Sequence, residues 1–143
     1  MKDQIHIRTA TEKDFEKIFL IMTDILVTHV STDEILKLKM SSERRFLKII
    51  RDDNAFFFVA ELKNEIIGFL NGAPPLALWN IPERKTFVIE EMAVHSSIRS
   101  KGIGSELIKF IENYTKKKGF KKIAASSNIS RTKAHRFYIN NNF

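Results

Sequence analysis

The chain contains no cysteine. That absence removes disulfides, thiolate metal sites and a cysteine nucleophile together, and makes a reducing cytoplasm the expected compartment. Proline is scarce, and all three residues fall between Pro74 and Pro82. A central strand cannot hold them, so "APPLALWNIPE" (73–83) reads as an ordered loop. No apolar run approaches the roughly 20 residues of a membrane span. Met1-Lys2-Asp3-Gln4 lacks the apolar core of a signal peptide. The four histidines are scattered without ligand spacing, so no metal site is expected. Acidic residues are scarce in one region. Residues 91–143 hold 11 Lys and Arg against 3 Asp and Glu, whereas residues 1–90 hold 13 against 14. The formal charge of +7 therefore sits in the last third of the chain. A polyanionic partner can use such segregation; a solvated face is the plainer reading.

What is present has the balance of a globular protein. At 143 residues, 43% apolar and 29% charged, the chain has the length of one domain, 1–143, with a real core. Twelve phenylalanines predict a core built largely on aromatic rings. "QIHIRTA" (4–10) alternates apolar and polar residues as a first strand. Thr9 or Thr11 can cap the following helix, with Glu12 three residues after Thr9 in capping-box spacing. That helix is predicted to run to about Val27, with Phe15, Ile18, Phe19, Met22, Ile25 and Leu26 on one stripe. The polar "THVSTDE" (28–34) leads to a second helical region through "SSERRFLKIIRD" (41–52). "AFFFVAEL" and "EIIGFLNG" are strands joined by Lys63-Asn64, a hairpin signal, and "TFVIEEMAV" (86–94) is a fourth strand. Ile103, Leu107, Ile108, Ile111 and Tyr114 give helical spacing up to a stop at Gly119. "KKIAASS" is a fifth strand and "SRTKAHRFYIN" a last helix. The order is β-α-α-β-β-β-α-β-α, a mixed α/β (α+β) domain.

The segment most charged with chemistry is Arg99-Ser100-Lys101-Gly102-Ile103-Gly104, a basic hexamer between the fourth strand and a helix. A helix start leaves backbone N–H groups unpaired and carries the positive end of the macrodipole. Glycines at 102 and 104 let the main chain approach a bulky pyrophosphate, and Arg99 and Lys101 add charge at the same end. The bland alternative is a glycine-bearing turn with solvated basic residues. A Rossmann fingerprint is excluded because Leu107 stands where the third glycine belongs, and "GIGSEL" lacks the Gly-Lys-Ser/Thr of a Walker A loop.

With "VIEEMAV", "RSKGIG" and "SSNISRTKAHRFYINNNF" in this order, the chain resembles the GNAT superfamily of N-acetyltransferases. Glu91-Met92-Ala93-Val94 matches the family's acidic-apolar-x-Val strand, and Arg99 to Gly104 its Arg/Gln-x-x-Gly-x-Gly/Ala motif. Asn128, Ala134, Phe137-Tyr138 and Asn142-Phe143 correspond to its second motif. The resemblance implies a largely antiparallel mixed sheet flanked by helices, with acetyl-CoA as co-substrate and no metal. It implies that the amides and side chains of Arg99, Ser100, Lys101, Gly102, Ile103, Gly104 and Ser105 cradle the diphosphate. Main-chain groups of Met92 and Val94 would pair with the pantetheine arm like an added strand. An N–H near Ala93 or Val94 would stabilise the thioester oxygen, and Asn128 would hydrogen-bond the pantetheine or the substrate.

An alkylammonium acceptor must lose a proton before it attacks a thioester. Glu91 is the expected base, through water, with Glu90 the alternative. Strand alternation predicts the two carboxylates on opposite faces, so that one alone sees the cleft; the family match and the alternation from Met92 and Val94 favour Glu91. Tyr138 matches the family tyrosine that protonates the leaving thiolate. Direct attack is expected, since there is no cysteine and no Ser-His-acid arrangement. The acceptor, a small-molecule or peptide amine, would draw on the stretch from His29 to Lys39, on Asp33 and Glu34, and on Trp79. Two departures from the family pattern stand out. Ser100 replaces a frequent glycine, and the chain stops at Phe143, where the family begins a final hairpin. The fifth strand would then show an open edge; either the sequence is incomplete there, or a second copy, in a homodimer, covers that edge. Two other readings use the same residues. One is a CoA-binding module without turnover, the other a nucleic-acid-binding domain on "TKKKGFKK" (115–122), which leaves the glycines unaccounted for.

Overall fold

The structure is a computed structural model that describes residues 4–24, 31–73, 86–98, 102–120 and 122–125. Its elements are β1 (His6–Thr9), α1 (Phe15–Asp24), α2 (Thr32–Ile50), β2 (Phe56–Leu62), β3 (Glu65–Ala73), β4 (Thr86–Val94), α3 (Ile103–Lys117) and β5 (Lys122–Ala125). The sheet order is β1-β2-β3-β4-β5. The first four strands are antiparallel to their neighbours, and β5 runs parallel to β4. This is the mixed, largely antiparallel sheet flanked by helices that the family resemblance implies. The last predicted helix (130–140) and the loop from Pro74 to Glu83 lie outside the described residues.

Alternation along the strands divides the apolar residues between two faces. Phe58, Leu70, Phe87 and Ile89 pack with Ile103, Leu107, Ile108 and Ile111 of α3. Phe57, Val59 and Phe69 point the other way, onto Phe15, Ile18, Phe19 and Ile21 of α1 and Phe46 of α2. Phenylalanines dominate the α1–α2 core, as the composition suggested, whereas the α3 core is mainly Ile and Leu around Phe58 and Phe87. Phe46 meets Phe57 edge-on at 5.0 Å, and Phe58 meets Phe110 at 4.8 Å. Tyr114 joins the second group, 4.9 Å from Phe58. Ile108 and Ile111 are fully buried, each worth about 1.5–3 kcal/mol of transfer free energy.

Local signals explain the element ends, with some corrections. Lys63 and Asn64 have φ of 52° and 65°, the left-handed pair that closes a two-residue hairpin. The cap before α1 uses Thr11 and Asp14 rather than Thr9 and Glu12. The Thr11 N–H donates to the Asp14 carboxylate at 2.7 Å, and the Thr11 hydroxyl donates to it at 3.2 Å. Asp14 wins because a short 3-10 turn, Glu12–Asp14, precedes α1 and brings its carboxylate back over Thr11. The second helix starts earlier than its apolar pattern suggested. Ser31 caps it, its Oγ accepting the Glu34 N–H at 3.2 Å, so residues 32–40 are helical and not a connecting stretch. Helix α3 ends in a Schellman motif at Gly119, φ 87°. There the Gly119 N–H donates to the Lys116 carbonyl and the Phe120 N–H to the Thr115 carbonyl.

Candidate active site

Strand β4 carries the candidate base, and its shape departs from simple alternation. Asn71 pairs with Glu91 but Gly72 pairs with Ile89, so Glu90 is an extra residue, a β-bulge. The bulge inverts the parity of the strand. Phe87 and Ile89 face α3 before it, and Met92 and Val94 face α3 after it. Glu90 and Glu91 are therefore both left on the α1–α2 face. Arg45 of α2 reaches the two carboxylates, at 3.3 Å for Glu90 and 3.0 Å for Glu91. The expectation of opposite faces is thus corrected: the bulge inserts half a strand period between them. Burial separates the pair, since the Glu91 side chain is 29% exposed and that of Glu90 49%.

Close packing holds the bulge in place. A Cβ on Gly72 would lie 2.0 Å from the Val88 carbonyl oxygen, so glycine is required where β3 crosses β4. Beside it, Asn71 is 1% exposed and donates from Nδ2 to Glu91 Oε1 at 3.2 Å. Asn71 Oδ1 is buried without a hydrogen-bond partner. Asn71, Glu91, Arg45 and Ser42 supply the polar lining of a cavity of about 30 Å³, whose other walls are apolar side chains of α1, α2 and the sheet.

The opposite end of the site is the start of α3. Beyond β4 the chain makes a short turn, in which the His95 Nδ1 accepts the Ser97 N–H at 3.1 Å. The helix then begins at Gly102, with φ 82° and no side-chain cap. Its first backbone bond runs from the Glu106 N–H to the Gly102 carbonyl at 3.0 Å, so the amides of residues 103–105 precede it. Among the described residues, its chain neighbours aside, no atom lies within 4 Å of the position a Gly102 Cβ would take, so glycine serves there for its left-handed backbone, φ 82°. Ile103 is buried in the core, anchoring the turn, while Gly104 and Ser105 are half-buried. Between β4 and β5, among the described residues, the ladder ends at Ile89 and Ala125, whereas β3 stays paired with β4 up to Val94.

The remaining expected site residues divide plainly. Met92, Ala93 and Val94 lie on β4, Met92 and Val94 packed on the α3 core and Ala93 on the other. Arg99, Ser100, Lys101, Asn128, Tyr138, His29 and Trp79 lie outside the described residues. Asp33 and Glu34 occupy the first turn of α2, where carboxylates complement the helix dipole. Two residues escaped sequence reading. Asn71 left a faint signal, a lone amide before a glycine in an apolar strand, while Arg45 looked like any solvated helix arginine. Among the described residues no group of three or more His, Cys, Asp or Glu side chains can hold a metal ion, and no helix is long and apolar enough to cross a membrane.

Comparison with known proteins bears on this arrangement. No curated protein sequence matches the chain. Among solved structures, the chain is similar to a transcriptional regulator from Bacillus halodurans C-125. The two are 28% identical, with a TM-score of 0.78, over 98% of this chain and 93% of that one. It is similar in fold to the aminoglycoside N-acetyltransferase AAC(6')-Iy in complex with CoA, at 16% identity and TM-score 0.76, over 100% and 90% of the two chains. A PaiA N-acetyltransferase from Thermoplasma acidophilum in complex with coenzyme A is alike at 19% identity and TM-score 0.75, over 96% and 88%. A family model described as "Acetyltransferase (GNAT) family" matches residues 22–143. That span takes in the bulged strand, the glycine-started helix and the strand beside them, so the chain belongs to the acetyltransferase (GNAT) family and is an acyltransferase.

Proposed function

We propose that residues 1–143 form one N-acetyltransferase domain that moves an acetyl group from acetyl-CoA to a primary amine by direct attack. The observation that carries this reading is the pairing of a carboxylate on a bulged β4 with an uncapped, glycine-started α3 in a chain of this family. The residues present fit the donor. The space beside Gly102 is open, and the amides of residues 103–105 can take the diphosphate with Arg99, Ser100 and Lys101. Main-chain groups of Met92, Ala93 and Val94 hold the pantetheine and the thioester oxygen, with Asn128 beside them. Acetyl-CoA supplies the activated thioester. Glu91 accepts the amine proton through water, and Tyr138 returns a proton to the departing thiolate. Glu91 is preferred to Glu90 because it is the more buried and has a donor of its own in Asn71. The neighbours with aminoglycoside acetyltransferase activity in their names make amino sugars the first acceptors to try, with polyamines and peptide amines beside them as other primary-amine classes. In the same reading a second copy covers β5, which pairs with β4 alone among the described residues; a monomer in sedimentation would remove that part.

Calorimetric titration with acetyl-CoA tests the donor site, and free-thiol release with spermidine, sisomicin and a lysine peptide tests turnover. Saturable binding with amine-dependent thiol release is expected. Binding without release would select the CoA-binding module, and no binding at the 100 μM scale would reject both. Glu91→Gln is expected to lower kcat by about 100-fold or more while leaving acetyl-CoA affinity intact. An unchanged kcat would remove Glu91 from the chemistry.

A further inference from the structure

The buried amide beside Glu91 has more hydrogen-bonding capacity than the protein uses. Its orientation is set by its neighbour: a carboxylate accepts only, so the Asn71 nitrogen must face Glu91 and the oxygen must face away. Asn71 lines the cavity, and its Oδ1 has no partner among the described residues, at a site that is 1% exposed. An orphaned buried acceptor is costly, and native proteins seldom leave one unless water or a ligand satisfies it. The cavity has about 30 Å³ for water centres, above the roughly 10–15 Å³ that one water needs. The Asn71 hydrogen bond and the closest approach of Arg45 both end on Glu91 Oε1.

Resting on the reading of Glu91 as the base, we propose that Asn71 is a positioning residue that seats the relay water. The water donates one hydrogen to Asn71 Oδ1 and the other to the Glu91 carboxylate. Both donors are then used, and its lone pair turns outward to the incoming ammonium. One proton passes from the ammonium to the water while the water passes one to Glu91, so the amine becomes neutral and Glu91 a carboxylic acid. The nitrogen then bonds to the acetyl carbon as the carbon–sulfur bond breaks. Tyr138 protonates the thiolate sulfur and regains its proton from the second one on nitrogen, and Glu91 later releases its proton to solvent. Arg45 from α2 and Glu90 from the same strand are the charged groups facing Glu91; the surfaces of α1 and β3 that line the cavity are otherwise apolar.

The test is Asn71→Leu, which keeps the heavy-atom branching but cannot hydrogen-bond, with Asn71→Ser, whose hydroxyl and freed space can hold water. Both are assayed with acetyl-CoA and the best acceptor of the three amines named above. Asn71→Leu is expected to fold, to keep the KM for acetyl-CoA, and to lose about tenfold or more in kcat, a share of what a general base contributes. Asn71→Ser should recover part of kcat. A crystal structure of the wild type should show a water bonded to Asn71 Oδ1 and to Glu91. Should Glu91→Gln be inactive while Asn71→Leu retains full kcat, this inference fails and the base assignment stands. If Glu91→Gln retains activity, the base assignment itself fails. A cavity filled by a protein side chain in the crystal would overturn the water seat whatever the kinetics. Should Asn71→Leu not fold, the wild-type crystal decides, an Asn71 Oδ1 without a bound water overturning the proposal.

Discussion

Asp14 illustrates how one carboxylate ties three elements together. Arg8 of β1 grips it with two guanidinium nitrogens, at 2.8 and 2.9 Å, and the same Arg8 also pairs with Glu61 of β2. The Asp14 carboxyl is held below the usual carboxylate range, first by the Arg8 hydrogen bonds, against the opposing effect of burial. Because the folded value is the lower one, the stabilisation is complete above the ordinary aspartate range, about 3.9. It is lost as pH falls through the depressed folded value. Asp14→Asn should therefore cost about 2–4 kcal/mol at pH 7, by leaving Arg8 half-paired and the Thr11 N–H poorly satisfied. Urea denaturation at pH 7 and at stepwise lower pH checks this, the gap between wild type and variant closing below about pH 4. A gap independent of pH would mean that the loss is one of packing and not of charge.

Two glycines at element boundaries show why residue type alone does not reveal its reason. Gly72 is crowded, with a notional Cβ 2.0 Å from the Val88 oxygen, whereas Gly102 stands in open space with φ 82°. Gly72→Ala should force β3 from β4 at the bulge and cost about 3 kcal/mol or more, at the upper end for overpacking. Gly102→Ala should cost about 1–2 kcal/mol, the penalty of the left-handed region. Thermal or urea unfolding of the two variants ranks them, and the reverse order would contradict the packing at the bulge. The sequence carried the elements themselves well: alternation and β-branched runs located the strands, and apolar spacing located α3 and its glycine stop. It hid the start of α2, where Leu36 and Met40 are exposed and leave little periodic stripe to read. The bulge was also hidden. Alternation predicts a face for every strand residue, and only the pairing across to Asn71 and Gly72 reveals the extra Glu90. Arg45 met Glu91 through tertiary packing, which spacing within one helix does not encode.

At the scale of the molecule, the order of elements and the two motifs were enough to suggest the family, while the acceptor was not readable. In the proposed reading, donor recognition rests on contiguous segments, the β4 strand and the turn into α3. Surroundings of Glu91 are assembled from α2, β3 and β4, far apart in sequence. The five-stranded sheet separates the α1–α2 core from the α3 core, with no residue common to both buried clusters. Ile18→Val on one side and Ile108→Val on the other should each cost about 0.5–1.5 kcal/mol, and the double variant should be additive to within about 0.5 kcal/mol. A larger coupling energy from the denaturation cycle would show that strain crosses the sheet. Such independence has an evolutionary corollary. Under the proposed reading, the flank beside α3 is tied to an unchanging coenzyme, while the flank beneath α1 and α2 is free to drift toward new amines. A lineage can thus diversify its clientele by rewriting one hemisphere and inheriting the other.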